Sequence, residues 1–253
     1  MTATASSLFD LSGKVALITG GSRGLGREMT LAFARAGADV VIASRKLESC
    51  QAVAAEVAAL GRRALPVACH VGDWAALDAL VETAYRYFGT IDVLVNNAGM
   101  SPLYASLDAI SEALWDKVLG VNLKGPFRLS ALVGTRMAAG HGGSIINISS
   151  IAAERPSPTE TPYAAAKAGL NAITIAFAHA FGPTVRVNCI QAGPFLTDIS
   201  KAWGEAVVEH FKATAALRRP GNPDEIIGAA LYFASAASSF TTGAILRVDG
   251  GTR

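Results

Sequence analysis

The chain has 253 residues, a length at which α/β folds commonly form a single domain. A hydrophobic fraction of 51% against 17% charged residues indicates a large buried core and excludes an intrinsically disordered chain. The net charge of +2, without a long run of Lys and Arg, predicts neither a nucleic-acid partner nor a membrane partner.

Residues 1–10 lack the basic start and apolar centre of a signal peptide, and we expect them to form a flexible N-terminal arm. The long uncharged stretches Ala168–Val185 and Ile226–Leu246 contain several polar residues, so neither is predicted to span a membrane. The three cysteines have no CxxC spacing, which favours a cytoplasmic location. No His, Cys and carboxylate set has ligand spacing, and we expect no metal.

Short apolar runs alternate with helical periodicities along the chain. The predicted strands are Val15–Thr19, Asp39–Ala43, Ala64–Ala68, Ile91–Val95, Ser144–Ser149, Thr184–Ile190 and Ala244–Val248. The predicted helices after the first one are Leu47–Leu60, Asp73–Phe88, Leu107–Leu119, Leu123–Ala138, a long helix from Thr161, and a helix from Asn222 to Ser235. This order predicts an α/β fold, a single Rossmann-type doubly wound domain over residues 11–253, with a seven-stranded parallel sheet and helices on both faces.

Three helix starts have recognisable capping residues. Asp73 is a predicted N-cap, and Thr161 is a predicted N-cap followed by a proline at the first helical position. Asn222 repeats this pattern, with proline and two acidic residues after it.

The first strand leads into a glycine-rich turn and then a helix that ends at Gly37. Such a turn lets the backbone and the free N–H groups of a helix start approach a phosphate. The residues predicted to line this dinucleotide-binding site are Gly20, Ser22, Arg23, Gly24, Leu25 and Gly26.

Three other interpretations of the turn remain open. A P-loop would need Lys and Ser/Thr where Arg27 and Glu28 stand. A serine-hydrolase nucleophile elbow would use Ser22, but only thirteen residues precede Lys14, too few for the strands that such an elbow needs upstream. A plain glycine turn without a ligand is the third. Dinucleotide binding fits the context best.

The end of the second strand indicates which dinucleotide binds. An acidic residue there selects NAD, whereas arginine accepts the 2′-phosphate of NADP. This chain has Ser44 and Arg45 at that point, and Arg23 lies in the glycine turn. We therefore expect NADP(H) to be preferred, with NAD(H) possible. The alternative is that both arginines are ordinary surface residues.

Tyr163 and Lys167 lie four residues apart on the long helix, so both side chains project from one face. A phenol is a poor acid or base at neutral pH, and a nearby ammonium stabilises the phenolate. The pair is therefore a candidate for acid–base catalysis. Taken alone, the motif is weak, because on helices such a pair is more often an accidental surface pair than a catalytic one.

Five motifs together resemble the short-chain dehydrogenase/reductase family, and they occur in that family's order. They are Thr19-Gly-x-x-x-Gly-x-Gly26, Asn96-Asn97-Ala98-Gly99, Ser149-Ser150, Tyr163-Ala-Ala-Ala-Lys167 and Val248-Asp249-Gly250-Gly251. The resemblance covers the chain from about Leu11 onward. It implies an enzyme that interconverts a carbonyl and an alcohol by hydride transfer, most often as a reductase when NADPH is used.

The resemblance also implies roles for individual residues. Tyr163 would be the general acid or base and would also contact the cofactor. Lys167 would lower the Tyr163 pKa and hold the nicotinamide ribose. Ser150, thirteen residues before the tyrosine, would polarise the substrate carbonyl. Asn122 would interrupt a helix and hold a water of the proton relay, or serve as a helix cap. The further cofactor contacts that the resemblance implies are His70, Val71, Asn97, Ala98, Gly99, Gly193 and Thr197.

Two departures from the family pattern concern cofactor contacts. His70 replaces the aspartate that usually contacts the adenine, and Ala192 replaces a proline. Both leave the four catalytic positions intact.

An apolar lid over the substrate is predicted at about residues 194–216, where Phe195, Leu196, Trp203 and Phe211 lie. It suggests a hydrophobic or acyl-type substrate, and Arg155 or Lys201 could pair with an acidic tail. These last two cations lie in the predicted substrate loops.

Relatives in this family are usually dimers or tetramers, and we expect a homotetramer. The main alternative to an enzyme is an NADP-binding sensor or scaffold without turnover. The intact set Asn122, Ser150, Tyr163 and Lys167 argues against that alternative, since such proteins have no need of it.

Overall fold

The computed structural model describes residues 5–197, 200 and 205–252. Within them, seven parallel strands form one sheet in the spatial order β3-β2-β1-β4-β5-β6-β7. The strands are β1 Val15–Thr19, β2 Asp39–Ser44, β3 Ala64–Ala68, β4 Val93–Asn96, β5 Gly143–Ser150, β6 Val185–Ala192 and β7 Ile245–Val248. The predicted doubly wound Rossmann-type fold is confirmed.

Helices connect the strands and cover both faces of the sheet. They are α1 Ala5–Leu8, α2 Gly24–Arg35, α3 Leu47–Ala59, α4 Trp74–Phe88, α5 Glu112–Leu119, α6 Gly125–Ala139, α7 Thr161–Phe181, α8 Glu205–Thr214 and α9 Ile227–Ala234. A π-helical segment, Gly120–Lys124, joins α5 to α6 without a loop. The single turn of α1 falls in the predicted arm.

The core has two layers because alternate residues of each strand face opposite sides of the sheet. In β1, Ile18 faces a cluster that contains Phe33 of α2 and Phe233 of α9. Leu17 faces a second cluster with Leu80 of α4. These side chains are at most 1% exposed, and each buried one stabilises the fold by about 1.5–3 kcal/mol.

Two capping predictions are confirmed. The Asp73 side chain accepts a hydrogen bond from the Ala76 N–H at 3.1 Å at the start of α4. The Glu225 carboxylate accepts one from the Asn222 N–H at 2.7 Å. The turn that follows, Pro223–Ile226, is 3₁₀ rather than α-helical, and α9 begins after it.

Other predicted boundaries were wrong. Helix α5 begins at Glu112 rather than Leu107, because the Ser111 hydroxyl caps it by accepting from the Leu114 N–H at 3.2 Å. Helix α7 includes Thr161 as its first residue, so its N-cap is Glu160 instead. Before α5, the apolar pattern continues past the residue at which the helix begins. At α7, the residue with a capping side chain already has helical geometry.

The connections place a crevice at the carboxyl end of the sheet. Strand β1 has β2 on one side and β4 on the other, although β4 follows it much later in the chain. The chain leaves β1 and β4 towards opposite faces, and ligands of open α/β sheets bind in the gap that results.

Candidate active site

The glycine turn has the geometry of an anion site. Gly20 and Gly24 have φ of 65° and 51°, a left-handed conformation that glycine adopts without strain. The N-cap residue of α2, Arg23, makes no side-chain cap hydrogen bond. The first N–H groups of α2 have no partner within the helix, so they and the helix dipole can bind a phosphate there.

Close packing between the turn and the end of β4 fixes this geometry. A Cβ on Gly26 would overlap the carbonyl oxygen of Gly20 and approach the Asn97 side chain. The Asn97 Nδ2 donates to the Thr19 carbonyl at 2.9 Å. The Thr19 hydroxyl accepts from the N–H groups of Asn97 and Ala98 at 3.0 and 3.1 Å. Sequence patterns alone indicate no separate role for Thr19, although it directly precedes the turn.

The residues predicted to select the dinucleotide lie at the ends of β1 and β2. Ser44 is half-buried at the last position of β2, and Arg45 is exposed beside it. Arg23 is also exposed. Among the described residues, neither guanidinium has a hydrogen bond or an ion pair. Both cations are therefore available to an anionic ligand.

The segment after β3 contributes differently from the usual family pattern. His70 is exposed, and its Nδ1 accepts a hydrogen bond from the Gly72 N–H at 3.2 Å. Val71 is buried in the core layer of α4. A contact of these two residues with adenine stays a prediction.

Ser150, Tyr163 and Lys167 converge at the carboxyl end of β5. Ser150 ends that strand, and the other two lie one turn apart on α7. The Lys167 Nζ is 5.5 Å from the centre of the Tyr163 ring. It donates to the Ile148 carbonyl at 2.7 Å, which fixes the buried ammonium.

The pKa values of Tyr163 and Lys167 are both shifted, and that of Tyr163 differs from the one that the sequence predicts. Burial raises the pKa of Tyr163 to about 12; hydrogen bonding with Ser150 opposes the rise, and the charge of Glu160 adds to it. Burial also lowers the pKa of Lys167 to about 8. The expectation that Lys167 brings the Tyr163 pKa towards neutrality is therefore not met by the protein groups alone, because burial outweighs the hydrogen bond with Ser150.

Asn122 lies in the π-helical segment and is fully buried. Its Nδ2 donates to the carbonyls of Val118 and Met100 at 2.9 and 2.8 Å, and its Oδ1 accepts from the Met100 N–H at 3.2 Å. The side chain thus satisfies a carbonyl of the interrupted helix and ties the loop after β4 to it. The predicted water in a proton relay stays a prediction.

The loop after β6 reaches the glycine turn. A Cβ on Gly24 would lie 3.5 Å from the Cβ of Thr197, so the two residues are neighbours. At the start of the loop, the Gly193 N–H donates to the Val248 carbonyl at 2.9 Å. A Cβ on Gly193 would overlap Asp249. The two predicted cofactor contacts, Gly193 and Thr197, therefore lie on the same loop, at its start and beside the glycine turn.

Parts of the predicted lid and of its charged partners have other roles. Phe195 is 7% exposed and packs on Gly221, so it belongs to the core rather than to a lid. Leu196 is 43% exposed, as a lid residue can be. Arg155 donates to the Thr252 carbonyl, which occupies the guanidinium proposed for an acidic tail. Trp203 and Lys201 lie outside the described residues.

Two residues near Tyr163 had no role in the sequence analysis. The Tyr104 hydroxyl donates to the Pro158 carbonyl at 2.5 Å and accepts from the Thr161 N–H at 2.8 Å. It thereby joins the loop after β4 to the start of α7. Glu160 lies beside it. Both residues are in irregular segments, where no periodicity signals a contact.

Ser22 has no hydrogen bond to a histidine among the described residues. A serine nucleophile requires such a base within reach, so the hydrolase interpretation lacks its second member in the described part of the chain.

Comparisons with known proteins agree with this geometry. A family model described as enoyl-(acyl carrier protein) reductase matches residues 20–253. The chain is similar to dehydrogenase/reductase SDR family member 4 of Pongo abelii, with 36% identity over 245 residues that cover 96% of this chain and 88% of that protein. The chain belongs to the short-chain dehydrogenase/reductase family. It is an NAD(P)-dependent oxidoreductase.

Two solved structures of this family are also similar. A 7α-hydroxysteroid dehydrogenase complexed with NADH and 7-oxo glycochenodeoxycholic acid has a TM-score of 0.95 and 34% identity, covering 99% of this chain and 98% of that one. An NADPH-dependent 3-quinuclidinone reductase from Rhodotorula rubra has a TM-score of 0.94 and 30% identity, covering 99% and 95%. These neighbours differ in cofactor and substrate.

Membrane-spanning helices and metal-binding clusters are both absent from the described residues of this short-chain dehydrogenase/reductase. No helix among them combines the length and hydrophobicity that crossing a bilayer requires. No group of three or more His, Cys, Asp and Glu side chains in the same residues could hold a metal ion.

The depressed pKa of Lys167 predicts a pH-dependent stability. Between about pH 8 and pH 10 the folded state releases the Lys167 proton, whereas the unfolded state keeps it. The unfolded state then binds more protons, so stability rises with pH by up to about 1.4 kcal/mol per pH unit. The free energy of unfolding of the wild type minus that of Lys167→Met is therefore expected to increase over this range.

Urea unfolding of both proteins at pH 7, 8, 9 and 10 measures this difference. The raised pKa values of Tyr163 and Cys189 are both about 12, so both groups keep their protons in the folded wild type over this pH range. The Lys167→Met change removes a charge that lowers the Cys189 pKa, so Cys189 stays protonated in the folded variant as well. Lys124→Met, at an exposed position, is the matched control. A difference that stays flat for Lys167→Met, or that rises equally for Lys124→Met, contradicts the prediction.

Proposed function

We propose that this enzyme reduces a ketone or aldehyde to an alcohol with NADPH. The observation that supports this most strongly is the position of the half-buried Tyr163 beside Ser150 at the carboxyl end of the sheet. A Tyr163 pKa of about 12 keeps the phenol protonated at neutral pH, as a general acid must be.

The chain's own residues account for the proton and the orientation of the substrate. The hydroxyls of Ser150 and Tyr163 would bond the carbonyl oxygen, where negative charge develops, and Tyr163 would give its proton to that oxygen. A bound nicotinamide supplies the hydride. The buried Lys167 ammonium, held by Ile148, favours the phenolate that remains after proton transfer. Asn122 holds the loop after β4 against the site.

The preference for NADP(H) over NAD(H) is the second part of the proposal. Ser44 and the unpaired guanidinium groups of Arg45 and Arg23 lie where a 2′-phosphate is expected, without an acidic residue beside them. Arginine binds phosphate through paired hydrogen bonds, whereas a carboxylate at this position would repel it.

The change Arg45→Glu tests this preference. We expect the Kd for NADPH to rise at least tenfold, since one hydrogen bond to a charged group contributes about 1.5–3 kcal/mol. The Kd for NADH should stay unchanged or fall. Fluorescence titration with each nucleotide measures both constants. Arg86→Glu, an exposed arginine in the last turn of α4, is the matched control. Equal binding of NADPH and NADH by the wild type would overturn the assignment.

A hydrophobic or acyl-type substrate, a homotetramer and a cytoplasmic location complete the proposal. Exposed apolar side chains on α6 and α7, Phe127 and Ile175, and around β7, Phe240 and Leu246, support assembly through these elements. The three cysteines are free and buried, which suits a reducing compartment. A sensor or scaffold would bind NADPH without turnover of any carbonyl.

A further inference from the structure

A narrow crevice opens beside the Tyr163 ring, and Glu160 is part of its wall. Its apolar walls are Pro102, Leu114, Val118 and Pro162. Glu160 is the N-cap residue of α7, three residues before Tyr163, and both side chains line the crevice. The charge of Glu160 acts on the Tyr163 phenol, which also indicates that the two groups are near each other. A carboxylate therefore lies close to the expected position of the reacting carbonyl.

The other polar group of the crevice is occupied. The Tyr104 hydroxyl donates to Pro158 and accepts from Thr161, which leaves it little capacity for a ligand. Besides Tyr163, the acidic side chain of Glu160 is the polar group that remains. Among the residues that line the crevice, Glu160 is therefore the one that carries a charge at neutral pH.

The Glu160 carboxylate has no cationic partner among the described residues. It is half-buried, and its contacts include a hydrogen bond from the Ser157 backbone. Burial raises its pKa, as desolvation of an uncompensated carboxylate does. A partly desolvated anion in an apolar wall gains most from a ligand that brings a positive charge.

We propose that Glu160 is a specificity-determining residue that selects carbonyl substrates with a cationic nitrogen a few bonds from the carbonyl group. This inference rests on the proposed carbonyl reduction by the same site. The carboxylate pairs with an ammonium while Ser150 and Tyr163 bond the carbonyl oxygen. The carboxylate also disfavours substrates with an anionic group a few bonds from the carbonyl group. The substrate is therefore expected to carry a basic group there instead of the acidic tail that the sequence predicts.

Two ketones of equal shape test the proposal. The 1,1-dimethyl-4-oxopiperidinium ion carries a permanent charge, and 4,4-dimethylcyclohexanone has carbon in place of its nitrogen. Neither ring titrates, and the effect of the cationic nitrogen on the reactivity of its own carbonyl is the same with every enzyme variant. The change in the kcat/KM ratio between the wild type and Glu160→Gln therefore reports charge selection. We expect the wild type to favour the cation about tenfold or more, and Glu160→Gln to lower this ratio at least tenfold. Glu160→Lys should favour the neutral ketone.

Two controls separate selection from damage. Glu112→Gln removes an exposed carboxylate at the start of α5 and should leave the ratio unchanged. The Kd of Glu160→Gln for NADPH should equal that of the wild type. If the wild type reduces the neutral ketone and Glu160→Gln keeps the same ratio, the role of Glu160 is overturned while the proposed function stands. If the wild type reduces neither ketone nor any other carbonyl compound, the proposed function fails and the inference fails with it.

Discussion

Replacing Tyr163 with phenylalanine is expected to lower kcat by about 10²–10⁴-fold, the contribution of a positioned general acid. The change removes the hydroxyl that we propose as the proton donor to the substrate oxygen and keeps the ring that lines the crevice. Binding of NADPH should remain within about threefold of the wild-type Kd, because the glycine turn and the residues after β2 are untouched. Initial rates at saturating NADPH and nucleotide titration measure the two quantities.

Tyr87→Phe is the matched control for this change. Tyr87 is 52% exposed and lies near the end of α4, so loss of its hydroxyl should leave kcat unchanged. If Tyr163→Phe retained the wild-type kcat, the assignment of the proton donor would be wrong. If it lost NADPH binding as well, the predicted contact of Tyr163 with the cofactor would account for the loss of activity.

Replacing Gly26 with alanine is expected to weaken NADPH binding more than tenfold and to destabilise the fold by about 3 kcal/mol. The added Cβ would overlap the Gly20 carbonyl oxygen, which is backbone and cannot rotate away. The turn would have to open, and the N–H groups at the start of α2 would move from their common direction. Nucleotide titration and thermal unfolding measure the two effects.

The control for backbone crowding is Gly228→Ala in α9, where a Cβ meets no atom within 4 Å. This change should be neutral or stabilising by up to about 1 kcal/mol, the difference in helix propensity between the two residues. A Gly26→Ala protein with wild-type affinity and stability would show that the turn tolerates a side chain, and the description of its packing would be wrong.

Much of the architecture was predictable because it depends on local patterns. The apolar run Val15–Thr19 and the cap Asp73 each specify their own element, and both lie where the sequence places them. The glycine turn follows a strand and begins a helix, so its location at the carboxyl end of the sheet follows from the order of the elements. The resemblance to a known family then identified Ser150, Tyr163 and Lys167 together.

Other features depend on contacts between distant segments, which the sequence does not show. Phe195 is apolar in a loop, and only its packing on Gly221 distinguishes core from lid. Lys167 and Tyr163 have opposite pKa shifts because burial in the folded protein disfavours the charged form of each, an ammonium in one case and a phenolate in the other. Glu160 is one acid among many until the fold places it in the same crevice as Tyr163.

Deuterium transfer from NADPH labelled at both C4 positions tests the proposed carbonyl reduction directly. The protein is incubated at pH 7 with this nucleotide and a panel of ketones and aldehydes, including the two ring ketones above, and the alcohols are analysed by mass spectrometry. The account predicts an alcohol with one deuterium at its carbinol carbon for each NADPH oxidised, and almost none with Tyr163→Phe. Bound NADPH that is oxidised by no carbonyl compound, or alcohol formed without the label, would contradict it.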